Sequence, residues 1–187
     1  MKLHVCCGSV YLDGYINVDI QGICSKNIPK SHKTTFNNYY KYSLGSIPSK
    51  SRGNFLVDEN WDILRKWPYT SDIISEVIMI QAIEHFLIED AEFIICEIYR
   101  VLKKGGIFLF DFPDIKETVL RYEACDFEMM NRLIYCHSLD KYSVHKRCYN
   151  EKSFTTLLNK NHRVWTSLEF RQIIKHDYPV IGGIAIK

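Results

Sequence analysis

LHVCCGSVYLDGYINVDI, residues 3–20, sets a short apolar run before a turn of small residues, then a second apolar run with Asp19 near its end. An α/β sheet holds a nucleoside with this layout. The tight turn lets backbone approach the ligand, and the acid at the end of the next strand meets the ribose hydroxyls. Leu3–Cys6 reads as the first strand and Tyr15–Ile20 as the second. The link between them is too short for a long crossover helix, so a turn replaces it. Most loops of this kind carry glycine where this chain has Cys6, and a side chain is strained at a backbone angle that only glycine accepts easily.

Strands and helices alternate outward from this stretch, which predicts a parallel sheet with helices on its faces. Asn54–Val57 is a weak third strand. Ile73–Ile80 (IISEVIMI) is nearly continuous and apolar, as a buried central strand should be. A helix over Glu89–Lys103 follows, with Ala91, Ile94, Ile95, Ile98 and Leu102 at helical spacing and Gly105-Gly106 as its stop. Ile107–Phe112 is the fifth strand, Lys116–Tyr135 a mixed helical region, and Glu151–Asn159 a shorter helix. Trp165–Lys175 and Val180–Ile186 close the chain as an antiparallel hairpin at the sheet edge. The expected fold is α/β: one Rossmann-like domain over residues 1–187, with a mostly parallel seven-stranded sheet and an antiparallel edge strand.

The 187 residues suit one domain with a sizeable core. A formal net charge of +2 and a pI near 8.1 give no argument for nucleic acid. No run is long enough to span a membrane, and MKLHVCCGS lacks the regions of a signal peptide, so the expected location is cytoplasmic. Seven cysteines, an odd count without CxxC spacing, read as free thiols. Cys136, His137, His145 and Cys148 cluster in sequence but match no common zinc module. Between Asp19 and Asp58 there is no acid, whereas Lys26, Lys30, Lys33, Lys41, Lys50 and Arg52 stand there among tyrosines. Residues 21–53 therefore read as a long basic loop at the ligand edge, either a solvated surface or a lid that meets an anionic substrate.

These motifs together resemble class I S-adenosylmethionine (SAM)-dependent methyltransferases, and within them a small bacterial group associated with surface-polysaccharide synthesis. The resemblance covers nearly the whole chain. LHVCCGSVYLDGYINVDI is similar to the group's first motif, WDILRKWPY to its adenine-flanking segment, VIMIQAIEHF to its strand-four motif, and EIYRVLKKGGIFLFDFPD to the stretch before strand five. It implies SAM as cofactor and S-adenosylhomocysteine as product. Val5, Cys6, Cys7 and Gly8 would pass under the methionine part of the cofactor. Asp19 would accept both ribose hydroxyls, or else act as a strand-end cap. Ile20 would lie against adenine. Asp62 would accept the adenine amino group, with Ile63 donating through its backbone, or else cap a helix starting at Ile63. Gln81 would face the transferred methyl group. His4 stands where many methyltransferases carry an acid that holds the cofactor's amine.

Transfer from a sulfonium to a hydroxyl needs alignment and removal of a proton. His145 is the leading general base, because histidine titrates near neutral pH and His145-Lys146 matches a His-Lys pair in the resembling group. Asp111 and His85 are the other catalytic candidates. Asp111 and Asp114 divide two tasks, one facing the cleft and one capping the next helix. His176-Asp177-Tyr178-Pro179 also repeats in the group and reads as a turn. Some related methyltransferases hold a divalent metal with Glu-x-x-Glu-His; here Gln81 replaces the first Glu, so no metal is expected, and Glu84 and His85 orient the loop or touch substrate. Tyr135, Tyr142 and Tyr149 form either a sugar-stacking wall or aromatic core. Two readings remain. The first is a methyltransferase for a hydroxyl of a carbohydrate or related polar, even phosphorylated, metabolite, with residues 115–150 on the acceptor side. The second is a non-catalytic SAM-fold binding or scaffold protein. The expected partner is a small-molecule or glycan acceptor, with neither nucleic acid nor membrane; the oligomeric state is open.

Overall fold

In the computed structural model the described residues are 1–24, 34–37, 49–52, 56–136, 142–173 and 178–187. The strands in chain order are β1 (Lys2–Val5), β2 (Val10–Tyr11), β3 (Ile16–Val18), β4 (Ile23–Cys24), β5 (Thr34–Asn37), β6 (Ser49–Arg52), β7 (Leu56–Val57), β8 (Ile74–Ile80), β9 (Leu102–Pro113), β10 (Ser167–Gln172) and β11 (Val180–Ile186). The helices are α1 (Ile88–Val101), α2 (Ile115–Tyr122), α3 (Phe127–Tyr135) and α4 (Glu151–Asn159), with 3-10 turns at Ile83–His85 and Lys160–His162.

Six strands make the main sheet, in the order β10-β11-β9-β8-β1-β3. β1 pairs in parallel with β3 and β8, and β8 pairs in parallel with β9. β11 runs antiparallel to β9 and to β10. The hairpin at the edge is as expected, but its antiparallel strand lies one place inside the rim, between β9 and β10. The expected third strand leaves the main sheet. Leu56–Val57 pairs instead with Ile23–Cys24, and one isolated bridge, Val18 to Glu59, ties that segment to β3. No ladder joins Leu56–Val57 to β3 beyond that bridge, so the main sheet has six strands among the described residues.

The apolar pattern explains the layering. Along α1 the buried residues Ala91, Ile94, Ile95, Ile98 and Val101 form one stripe against the sheet. Phe108, Phe110 and Phe112 alternate along β9, and the last two meet Phe154 of α4, with ring centroids 4.6 Å from Phe110 and 4.7 Å from Phe112. α1 stops at Val101, earlier than the glycine pair predicts. Leu102 is fully buried and pairs with Ile74 across the sheet, so strand pairing overrides the helical spacing. The helical region after β9 is two helices, each opened by an acid. Asp114 accepts from the Glu117 amide and Asp126 from the Met129 amide. All seven cysteines are free thiols. Among the described residues no helix is long and apolar enough to cross a membrane.

From β1 the chain passes to β3 on one side, while β8 pairs on the other side. The C-terminal ends of β1 and β8 therefore part at the point where an open α/β sheet makes its ligand crevice.

Candidate active site

A cavity of about 430 Å³ opens at those strand ends, a size ordinary for a small-molecule site. Val5, Cys6 and Gly8 form its floor, Val18, Asp19 and Ile20 one wall, and the segment Trp61–Leu64 another. Gln81, His85, Tyr142, Ser143 and Lys146 close the far end.

The floor is held from beneath by Asn17, which is fully buried in β3. Its side-chain oxygen accepts from the Leu12 amide at 2.8 Å, and its side-chain nitrogen donates to the Leu12 carbonyl and to Asp58. His4 belongs to this support and not to the cavity. It is fully buried and donates through Nδ1 to Asn17 Oδ1 at 2.9 Å. Burial pushes its pKa down to about 4, so the ring is neutral and replaces no amine-binding acid.

Asp19 faces the cavity while pinning the loop. Its Oδ2 accepts from the Gly8 amide at 2.9 Å and its Oδ1 from the Gln21 amide at 2.8 Å. Burial raises its pKa, and these backbone bonds act in the opposite direction. Cys6 sits at φ +53° and Gly8 at φ +50°, both left-handed. Cys7 donates its amide to Val18 and turns its thiol into the protein, away from the cavity. Asp62 lines the cavity, but its Oδ1 accepts from the Leu64 amide at 2.9 Å in a turn, and no helix starts at Ile63. Beside it Trp61, which sequence reasoning did not single out, is anchored by its indole nitrogen to Glu59.

At the other strand end Gln81 takes φ +48°. Its backbone and side-chain amides both donate to Asp111 Oδ1, at 2.9 and 2.8 Å, and Tyr178 donates to its side-chain oxygen at 3.2 Å. Asp111 is fully buried behind Gln81 and is no part of the cavity wall. Asp114 is the cap of the pair. The next turn brings Glu84 and His85 to His145. The two imidazoles meet edge to face with centroids 4.7 Å apart, and His145 Nε2 lies 3.9 Å from Glu84 Oε1. Among these three, His85 alone lines the cavity. Burial raises the Glu84 pKa to about 8 and lowers that of His145. Tyr142 is at the cavity, Tyr149 is core and Tyr135 is exposed elsewhere. His137, His176, Asp177 and most of the basic loop lie outside the described residues.

A family model for a methyltransferase domain matches residues 60–110, which run from the cavity wall through β8 and α1 into β9. A SAM-dependent methyltransferase from Archaeoglobus fulgidus is similar over 100% of this chain and 85% of its own, with a TM-score of 0.58 at 12% identity. One from Methanosarcina mazei covers 99% and 90% (TM-score 0.55, 13% identity), and a Pyrococcus horikoshii protein 99% and 80% (TM-score 0.56, 18% identity). No curated protein matches the sequence.

The fold is that of a SAM-dependent methyltransferase. That fold and the domain match support a SAM-dependent methyltransferase and imply SAM as its cofactor. The residues fit that group. A carboxylate, Asp19, stands on the wall beside half-open Ile20, and the floor is bare backbone at Gly8, where a Cβ would meet no atom within 4 Å. Asn17 and Asp58, which hold the cavity floor, were missed in the sequence. An Asn between Ile16 and Val18 in an apolar strand was the available signal.

Proposed function

We propose that this chain transfers the SAM methyl group to a hydroxyl of a polar, carbohydrate-like acceptor. One observation carries the reading: a single cavity joins a nucleoside-suited end at Asp19 and Ile20 to a polar end at His85, Tyr142, Ser143 and Lys146. The cofactor supplies an electrophilic methyl group and a thioether leaving group. Asp19 accepts the ribose hydroxyls while keeping the loop closed, and Ile20 and Trp61 shelter the base. Gln81, fixed by Asp111, borders the methyl position. The acceptor oxygen is aligned there, and its proton leaves to the Glu84–His85–His145 cluster.

Residues 115–150 form the acceptor side in this reading, since Tyr142, Ser143 and Lys146 come from that segment. Lys146 suits an acceptor with an anionic group, such as a sugar phosphate or nucleotide-sugar. The likeness of the motifs to the surface-polysaccharide group supports the same class. Left-handed Cys6 in the cofactor loop favours the second reading, a non-catalytic scaffold.

Calorimetric titration with SAM and S-adenosylhomocysteine, followed by a screen of sugar phosphates and nucleotide-sugars for S-adenosylhomocysteine release, separates the two. Micromolar-range cofactor binding with product formation is expected on the order of ordinary enzyme affinities. Absence of binding at saturating cofactor overturns the enzyme reading.

A further inference from the structure

We infer that Glu84, His85 and His145 form a binding site for a divalent first-row transition-metal ion at the acceptor end of the cavity. Their ligand atoms, one carboxylate oxygen and two imidazole nitrogens, all lie within 4.8 Å of one another. An ion bound by such a set keeps its ligand atoms roughly 3–3.5 Å apart. A small inward movement of the side chains is enough to close the site.

Glu84 supplies an independent reason. Its carboxylate is 2% exposed, and neither oxygen has a hydrogen-bond partner. A buried carboxyl in that condition either keeps its proton or is answered by a cation, and a protonated carboxyl would still leave its O–H without an acceptor. Among the described residues no lysine or arginine pairs with it; the nearest basic atom recorded is His145 Nε2, at 3.9 Å.

The two histidines are arranged as ligands are. His145 Nδ1 lies 3.1 Å from the Leu133 carbonyl, and His85 Nδ1 lies 3.3 Å from the Val144 carbonyl. A carbonyl only accepts, so each ring donates there and carries its lone pair on Nε2. Outer partners of this kind fix the tautomer and orientation of metal-bound imidazoles. The backbone joins the pieces: the Glu84 carbonyl accepts from the Lys146 and Arg147 amides, at 2.8 and 3.2 Å, and so holds the His145 segment on the Glu84 turn.

Gln81 is not a ligand, because its side chain is committed to Asp111 and Tyr178. Three protein ligands leave a coordination position open, and His85 places the cluster at the cavity wall. Two nitrogens and one oxygen suit zinc, manganese or cobalt better than calcium or magnesium. Resting on the proposed function, an occupied site would replace the cluster's role as base: it would lower the pKa of an acceptor hydroxyl that reaches the open position, and the proton would leave to water instead of to the three ligands.

The test is titration of chelator-treated protein with Co²⁺, read by calorimetry and by visible absorption. The expected result is one Co²⁺ per chain with a ligand-field band, weakened roughly tenfold or more in Glu84→Gln and in His145→Ala. S-adenosylhomocysteine binding, measured in parallel, reports that each variant is folded. Absence of Co²⁺ binding by protein that binds S-adenosylhomocysteine overturns the proposal, as does Co²⁺ binding that both substitutions leave unchanged. Co²⁺ binding without any S-adenosylhomocysteine binding overturns the cofactor reading and leaves the metal site standing.

Discussion

Gln81 turns both its backbone amide and its side-chain amide onto one oxygen of Asp111, at 2.9 and 2.8 Å. The backbone of Gln81 is left-handed there, a conformation that costs a non-glycine residue about 1–2 kcal/mol. Two hydrogen bonds to a carboxyl oxygen, worth about 1 kcal/mol each and more where the acceptor is ionised, are enough to hold it. Asp111 is thus a positioning residue for the end of β8. Asp111→Ala is expected to lower stability by about 2–3 kcal/mol and to weaken S-adenosylhomocysteine binding. Asp111→Asn retains one acceptor oxygen and should recover much of both. Urea denaturation and calorimetry measure the pair; equal behaviour of the two variants would count against this role.

Asp19 is asked to do two things at once. Its oxygens already hold the Gly8 and Gln21 amides, and a carboxylate has lone pairs left for ribose hydroxyls. In Asp19→Asn one oxygen becomes a donor and faces a backbone donor or a hydroxyl in the wrong sense. A loss of S-adenosylhomocysteine affinity of roughly tenfold or more is expected, about 1.4 kcal/mol. Calorimetry checks it, and an unchanged affinity would place the nucleoside elsewhere.

Cys6 carries backbone strain at the cavity floor, where its side chain also packs against the core. At φ +53° a glycine avoids the Cβ penalty, although it loses more entropy on folding. Cys6→Gly is expected to raise stability by up to about 1 kcal/mol and to bind S-adenosylhomocysteine at least as tightly. If the substitution instead weakens binding, the thiol itself contributes to the site.

Periodic segments were legible in the sequence. Glu151–Asn159 and Val180–Ile186 fall where expected, since Asn150 and Ser153 form a capping box at the first and strand pairing with β9 runs the full length of the second. What escaped depends on partners distant in the chain. Leu102 belongs to a helix by spacing and to a strand by its pairing with Ile74. β11 lies between β9 and β10 because of sheet order, which alternation does not encode. Asp111 and Asp114 look alike beside Phe112-Pro113, yet one is buried behind Gln81 and the other caps α2. The meeting of Glu84 with His145 arises from packing of the segment after α3 onto the turn after β8.

Gly183 marks a close approach of β11 to its neighbours β9 and β10. A Cβ added there would stand 2.5 Å from the Phe110 ring and 2.6 Å from the Glu169 carbonyl. The carbonyl belongs to β10 and cannot yield without breaking the hairpin ladder. Gly183→Ala is expected to destabilise the protein by about 1–3 kcal/mol, with Gly183→Val worse. Thermal denaturation measures both. A neutral alanine variant would mean that β10 sits further from β11 than the ladder implies.

His4 makes stability depend on pH in a defined window. The ring titrates at 6.5 in an unfolded chain and at about 4 when buried beside Asn17. Below 6.5 the unfolded chain takes up a proton that the folded chain refuses. The contribution of neutral His4 is therefore fully present above that value and is lost as pH falls through the window to about 4. The loss approaches about 1.4 kcal/mol per pH unit and totals about 3 kcal/mol. Other groups titrate in the same range, so the informative quantity is a difference. His4→Gln keeps an amide donor for Asn17 and has no proton to gain. Its unfolding free energy, from urea melts across the window, should fall less steeply with acid than that of the unsubstituted chain. Parallel curves would mean that His4 is protonated in the folded state, and the Asn17 network beneath the cavity floor would then have to accommodate a charge.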